Sequence, residues 1–503
     1  MLITGKQPKS KKIQEGLALL VLIIILALAL ISYSLSQLSI VQIQTDQVEK
    51  TQIVLKKARD ALIAHAITNS YRVANVGRVG NLPCPDGNNA GTEGNQDPNC
   101  GNLDTNTIGY FPWKSMGINI LKDPSGACLL YAVSPSYKMN NARMLNADSN
   151  GLFQIVNMAG GVIEGNLPGD RPVAIIFATN EPVAAQARSF DVATICGKDF
   201  GNLDAYLDNN GVVNNGVLSG NPNTIDQFVH ATSTSENNAN PLNDIFVTIK
   251  KSDIWSAILA KTNIEEKLAE VAEALAVCLA DYANANTYRQ LPWPASLDLS
   301  ASVDSYFFDS NYVDVNAAAQ GYAGRYPYDI GNSNPVVIGS AWPDNILTAP
   351  ACSNIDLPST PAPTIEAIDL RPTGEHGIIW HNWKDHFYYA LSNNYEPNNG
   401  AILDSICNGA NGCVSVNGVA NEYAAIVFYS GESINGVTRT SPEVAGDPNQ
   451  KAVIANYIEN NNQLDFPDLV GENDYQSGLI GNNDFMFCVT NELAGINLRV
   501  VSC

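Results

Sequence analysis

LALLVLIIILALALIS, from Leu17 to Ser32, decides how the rest of the chain is read. It runs into YSLSQLSIVQI, which carries Ser and Gln but no charge before Asp46, and neither Gly nor Pro interrupts the sequence from Leu17 until Gly77. An apolar run of roughly 20 residues suffices to cross a bilayer, so the expectation is a transmembrane helix over 17–44. Beyond it, VEKTQIVLKKARDALIAHAI sets Val48, Leu55 and Leu62 seven apart, with Ala58, Ala61 and Ala66 filling the same stripe. Such a face needs a partner surface. One helix through both halves would hold about 50 residues and measure on the order of 75 Å at 1.5 Å per residue, so its far part must pack on a globular head or a neighbouring subunit. Ahead of it, residues 1–16 carry Lys6, Lys9, Lys11 and Lys12 against the single acid Glu15. Positive charge before an apolar segment keeps that end cytoplasmic and sends the bulk of the chain across.

A short basic leader, a Gly, an unbroken apolar run and an amphipathic continuation resemble the class III signals of type IV pilins and type II secretion pseudopilins. The resemblance covers about the first 70 residues. It implies cutting by a prepilin peptidase between Gly16 and Leu17, and that the 17–44 stretch is also the polymerisation helix. It also implies an inner-membrane protein with a periplasmic head, or an extracellular fibre after assembly, whose partners are other pilin or pseudopilin subunits held through the N-terminal helix. Two positions depart from the family pattern. Where the family usually has Phe or Met first and Glu fifth, this chain has Leu17 and Val21. Within the family, absence of that Glu marks minor subunits at the fibre tip, which implies a noncatalytic role in assembly initiation or adhesion, with no cofactor. Two other readings stay open: a secretory signal cut after Ala27-Leu28-Ala29, and an uncleaved anchor. The second would carry a periplasmic enzyme or carbohydrate-binding protein unrelated to pili.

Composition agrees with export. The 503 residues carry 28 Lys and Arg against 50 Asp and Glu, a formal charge of -22, and phosphate surfaces would repel such a chain, so no nucleic acid is expected as a partner. Ten Cys without a CxxC spacing favour disulfides in an oxidising compartment over a zinc site. Cys84 and Cys100 flank one Gly/Asn-rich loop and Cys407 and Cys413 close a short one. Cys488 with Cys503 would tie the last strand to the terminus, resembling the C-terminal disulfide loop of many type IV pilins. Elimination leaves Cys128 with Cys196 and Cys278 with Cys352; no spacing rule fixes this connectivity.

The chain also repeats itself. Leu82-Pro83-Cys84-Pro85 recurs as Leu291-Pro292-Trp293-Pro294, and Tyr131-Ala132-Val133-Ser134 as Tyr389-Ala390-Leu391-Ser392. Ala174-Ile175-Ile176-Phe177 returns as Ala425-Ile426-Val427-Phe428, and Tyr206-Leu207-Asp208-Asn209-Asn210 as Tyr457-Ile458-Glu459-Asn460-Asn461, both offset by 251 residues (425 − 174, and again 457 − 206). Asn243-Asp244-Ile245-Phe246 matches Asn483-Asp484-Phe485-Met486. Matches kept in order indicate a tandem duplication, with a first pilin-like domain over 45–259 and a second over 260–503. Each copy opens with a helix, the second at a capping-box-like Thr262-Asn263-Ile264-Glu265. β-type runs follow, so the expected fold class is α+β: a membrane-spanning helix, then two domains, each a helix packed on a small antiparallel sheet with long loops.

Motifs for chemistry are sparse: GxSxG, HExxH, Walker and GxGxxG patterns do not occur. The densest stretch is GEHGIIWHNWKDHF, with Glu375, His376, His381, Asp385 and His386. A metal there needs His381 and His386 to converge, and their five-residue gap suits neither a helix face nor a strand face, so a structural role is favoured. Asn146-Ala147-Asp148-Ser149-Asn150-Gly151 has the alternating oxygens of a calcium loop, but Asn157 stands where a bidentate Glu belongs; an Asn-rich turn is the preferred reading. No metal and no catalytic residue are assigned. Tyr306, Phe307, Phe308, Tyr312, Tyr322, Tyr326 and Tyr328 either stack on a glycan or partner surface or pack a loop on its own domain, the commoner use of such residues.

Overall fold

A computed structural model describes residues 12–68, 79–87, 92–102, 104–139, 143–183, 186–188, 194–196, 202–230, 242–285, 289–330, 346–348, 352–353, 355, 357, 368–371, 374–397, 407, 412–433, 437–440, 442–468, 471, 473–477, 484–491 and 497–503. In the first helix, side chains are described for 19–31, 33 and 45–68. In chain order the elements are α1 (Lys12–Thr68), β1 (Thr107–Tyr110), β2 (Leu130–Val133), β3 (Phe153–Val156), β4 (Val162–Glu164), β5 (Pro172–Ala178), β6 (Asp226–Val229), β7 (Ile245–Lys250), α2 (Lys251–Lys261), α3 (Ile264–Asn284), α4 (Ala317–Gln320), β8 (Ala323–Arg325), α5 (Glu375–Trp383), β9 (Phe387–Leu391), β10 (Val414–Val416), β11 (Val419–Tyr429), β12 (Asp474–Tyr475), β13 (Phe485–Thr490) and β14 (Arg499–Ser502).

The strands make three sheets. The first is four-stranded, in the order β1-β2-β5-β7, all antiparallel. A three-stranded sheet, β4-β3-β6, contains the parallel pair β3 and β6. The largest is seven-stranded: β8, β9, β11, β13 and β14 run antiparallel, and β10 joins β11 while pairing in parallel with β12.

Strand alternation sorts the core. Tyr131, Val133, Ala174 and Ile176 face a cluster that includes Leu55, Ala58, Leu62 and Ala66 of α1 and Leu268, Val271, Leu275 and Leu279 of α3. Leu130, Ala132, Ile175 and Phe177 point the other way, onto Phe153, Ile155 and Phe228 of the small sheet. Buried on both faces, β2 and β5 read as continuous apolar runs. Val48 lies on the expected α1 stripe but is exposed.

The matched segments sit at matching places. Tyr131 opposes Ile176 and Ala132 opposes Ile175; Tyr389 opposes Val427 and Ala390 opposes Ile426. Phe177 opposes Phe246, as Phe428 opposes Met486. Leu82 N–H donates to Tyr137 O at 2.7 Å and Leu291 N–H to Tyr395 O at 2.9 Å. Asp86 exchanges both backbone bonds with Tyr110, as Ala295 does with Arg325. All ten cysteines are paired: Cys84–Cys100, Cys128–Cys196, Cys278–Cys352, Cys407–Cys413 and Cys488–Cys503.

The expected fold class needs correction. The protein is mixed α/β with three sheets, two of which contain parallel pairs, and one buried cluster runs through α1, α2, α3 and strands of both larger sheets. Among the described residues no helix is long and apolar enough to cross a membrane. In the sequence the uninterrupted apolar run Leu17–Ile31 is followed by Ser32, Ser34, Ser36 and Gln37, so it falls short of the roughly 20 residues a bilayer core requires. Thr262 does not open α3 with its side chain. It closes α2, its hydroxyl donating back to Ile258 O at 2.9 Å.

Candidate functional site

Two features of the molecule ask for a functional account. The first is α1, whose two ends behave differently. Leu55, Ala58, Leu62 and Ala66 are buried against the head, whereas Leu19, Leu20, Val21, Leu22, Ile23, Ile24, Ile25, Leu26, Leu28, Leu30 and Ile31 are each between 47% and 60% exposed. Consecutive exposed positions mean that this part is apolar all round, and a helix of that kind calls for apolar surroundings. Gly16 and Leu17, where the resemblance implies cutting, fall within α1, but their side chains lie outside the described residues.

The second is a buried ionic seam where the two halves of the chain meet. The Asn146–Gly151 loop contributes Asn146 and Asp148; the turn after α5 contributes Asp385 and His386. Two stretches separately weighed as ion sites thus meet each other. Asn146 Nδ2 donates to Asp385 Oδ1 at 2.8 Å, His386 Nδ1 lies 3.0 Å from that oxygen, and His386 Nε2 lies 3.3 Å from Asp148 Oδ2. Lys451 Nζ contacts Asp385 Oδ2 directly and stands 3.6 Å from Asp148 Oδ2, while Tyr457 OH donates to Asp148 Oδ2 at 3.3 Å.

Electrostatics follow from this geometry. Burial alone would lower the His386 pKa, but the carboxylates of Asp385 and Asp148 hold it above the ordinary value. Burial would raise both acids, yet Lys451 and His386 bring Asp148 down to about 2 and Asp385 well below the carboxylate range. Two acids therefore face two basic groups. Arg325 braces the seam, donating to Asp385 O at 2.6 Å and Lys451 O at 2.5 Å, with its guanidinium about 5.2 Å from the Tyr388 ring centre. Glu443 receives Asn150 N–H at 2.8 Å, and Arg171 grips Asp447 with two bonds of 2.7 Å.

Asp148, Asp385 and His386 have ligand atoms within 4.8 Å of one another, the spacing of a metal site. The Lys451 ammonium already stands on both carboxylates and both His386 nitrogens face acids, so a cation would have to displace paired groups. His381 goes elsewhere, to Asp309 Oδ1 at 2.7 Å. The calcium-like loop spends its oxygens on its own chain: Asn146 Oδ1 accepts Asp148 N–H at 2.9 Å and Asn157 Oδ1 accepts Ala159 N–H at 2.9 Å.

Above the seam lies a cleft of about 480 Å³ lined by Lys251, Trp255, Glu265, Trp383, Arg439 and Gln450, among others. Lys251, Glu265 and Arg439 are engaged within the protein. Lys251 Nζ donates to Asn150 Oδ1 at 2.9 Å, Arg439 to Gly431 O at 2.7 Å, and Tyr429 OH to Glu265 at 3.2 Å. His386 has no nitrogen left to activate a nucleophile. Of the aromatic residues weighed for stacking, Phe308 is exposed, Tyr322 and Tyr328 are half-buried, and Tyr306, Phe307, Tyr312 and Tyr326 are buried.

Lys451, Arg325 and Arg439 belong to no motif, because a lone cation announces nothing. Arg439 did leave a signal: it lies 251 residues after Arg188 (439 − 188), and each guanidinium covers the tyrosine of its own half, Tyr457 at 4.7 Å and Tyr206 at 5.1 Å. No family model, curated protein or solved structure matches the chain.

Proposed function

We propose that this chain is a noncatalytic fibre subunit of the pilin or pseudopilin type, present in few copies at the fibre tip and joined to other subunits through α1. The observation that carries the reading is the contrast along one helix: it is locked to the head by Leu55, Ala58, Leu62 and Ala66 and leaves Leu19–Ile31 exposed around its whole circumference. Packing such segments side by side removes apolar surface from water, worth about 25 cal/mol per Å². The buried ionic seam and the engaged charges of the cleft support a head built for rigidity over turnover. Val21 supports the tip position, since an apolar side chain cannot neutralise a neighbour's terminal amine in an apolar fibre centre, where an unpaired charge costs several kcal/mol. Leader removal after Gly16 belongs to the same proposal.

The test is immunogold labelling of fibres, paired with the double variant Ile24→Asp/Leu28→Asp. Label at fibre ends, lost in the variant while the head stays folded by circular dichroism, is the expected result. Label spread evenly along shafts at the abundance of the major subunit overturns the tip assignment. Retention of the variant in fibres overturns the role of α1, and a mature protein that still begins at Met1 overturns leader removal.

A further inference from the structure

The second large sheet ends differently from the first. Outside β13 lies β14, with Val500 opposite Val489 and Val501 opposite Cys488. Among the described residues β7, which holds the position of β13 in the first sheet, pairs with β5 alone. After β7 the chain goes straight into α2, which packs on α1, so no strand returns directly from β7 as β14 returns from β13. Burial registers the difference: Met486, Cys488 and Thr490 are buried, whereas their counterparts Phe246, Thr248 and Lys250 are half-buried.

We propose that β7 is an acceptor edge, at which an extended segment of a different polypeptide adds as the strand that β14 supplies in the second half. An edge strand presents a row of unpaired N–H and C=O groups, and addition of a strand satisfies them. The register of β14 on β13 sets the chemistry of the incoming segment. Opposite Ile249 it carries an apolar, β-branched side chain, as Val500 does opposite Val489; opposite Val247, where β14 would place Ser502, the apolar β-branched Val247 itself favours a side chain of the same kind. Opposite Thr248 and Lys250 it carries small uncharged residues, because Glu164 already accepts the Thr248 hydroxyl at 3.1 Å and pairs with Lys250 at 3.4 Å. A second copy's β14 fits poorly. It would set Arg499 against Lys250 in this register, and a chain of formal charge -22 repels its like. The inference stands apart from the fibre reading, since it uses only the sheet edges.

Hydrogen–deuterium exchange on the full chain tests it, with the capped hexapeptide TVTVTV as the probe and TVPPPV as a control that cannot donate backbone hydrogen bonds along its middle. TVTVTV is expected to slow exchange about tenfold at those amides within 245–249 that β5 does not hold, Lys250 N–H already donating to Asp253 Oδ2 at 2.9 Å, and TVPPPV to leave them unchanged. No change at those amides with saturating TVTVTV, or equal protection by TVPPPV, overturns the acceptor edge. Stronger protection by the β14 peptide LRVVS than by TVTVTV overturns the assignment to a different polypeptide.

Discussion

The first and second large sheets share a register and differ at their rims. In both, a Tyr-Ala strand lies beside an Ala-Ile-Ile/Val-Phe strand, and the next strand brings Phe246 or Met486 opposite the closing Phe. Among the described residues the outer strand is then present in one and missing in the other, and the loops divide the same way. Tyr206 and Tyr457 each lie under an arginine, but Tyr457 also reaches across to Asp148 and joins the seam. The centre of such a sheet is held by packing from both faces, which tolerates little change. Its rims are free to acquire other uses.

The comparison breaks most visibly if the two centres are not equivalent. Phe177 packs on Phe228 and Phe246 at 5.1 and 5.3 Å between ring centres, and Phe428 on Tyr475 and Phe466 at 5.2 and 5.5 Å. Phe177→Ala and Phe428→Ala should each cost about 3–5 kcal/mol in urea unfolding. Costs differing by more than about 2 kcal/mol would show that matching register does not mean matching energetics.

A smaller effect should come from turning the second rim into the first. The Cys488–Cys503 bridge closes a separation of 15 residues, a loop whose closure stabilises by about 3 kcal/mol in the chain-entropy description. Cys488→Ser/Cys503→Ser should lose about that much, and the β14 amides should then exchange faster. Unchanged exchange at 499–502 would mean that β14 is held by pairing alone.

The mildest test is pH. Burial and the neighbouring Glu459 raise Asp484 to about 9, and burial and Asp208 raise its counterpart Asp244 well above the carboxylate range. A group whose folded pKa exceeds its unfolded one binds its proton more tightly when folded, so its contribution is complete below about pH 4 and is lost as pH rises through the folded value. Stability should therefore decline toward pH 9, and Asp484→Asn should flatten the decline. Asp244→Asn should act in the same sense, and a variant curve parallel to the parent's from pH 6 to 10 would remove these acids from the account. At the acid end Asp148 has the opposite sign, its contribution present above about pH 4 and lost toward pH 2.

Several elements were legible without coordinates. The gap-free run after Leu17 reads as helix because no Gly or Pro breaks it, and α1 spans Lys12–Thr68. The short strands are visible because alternation and β-branching are local, and the ordered matches fall on paired strands because register carries sequence offset directly into space. The site was far less legible. Asp148 and His386 lie in the two stretches weighed as ion sites, but neither stretch points to the other, and Lys451 stands in an unremarkable local setting; His381, five residues before His386, turns to Asp309.

By itself, then, the sequence determined the helix, the strand centres and an even set of cysteines able to pair, since each depends on neighbours along the chain or on a count. Tertiary structure alone decided that the Asn146–Gly151 loop would meet the turn at His386, that Lys451 would fill the place of a cation, and that β7, among the described residues, would pair on one side only. Those outcomes depend on how distant segments dock. A docking geometry is fixed by the shapes of two packed surfaces at once, and neither surface is written in any single stretch of residues.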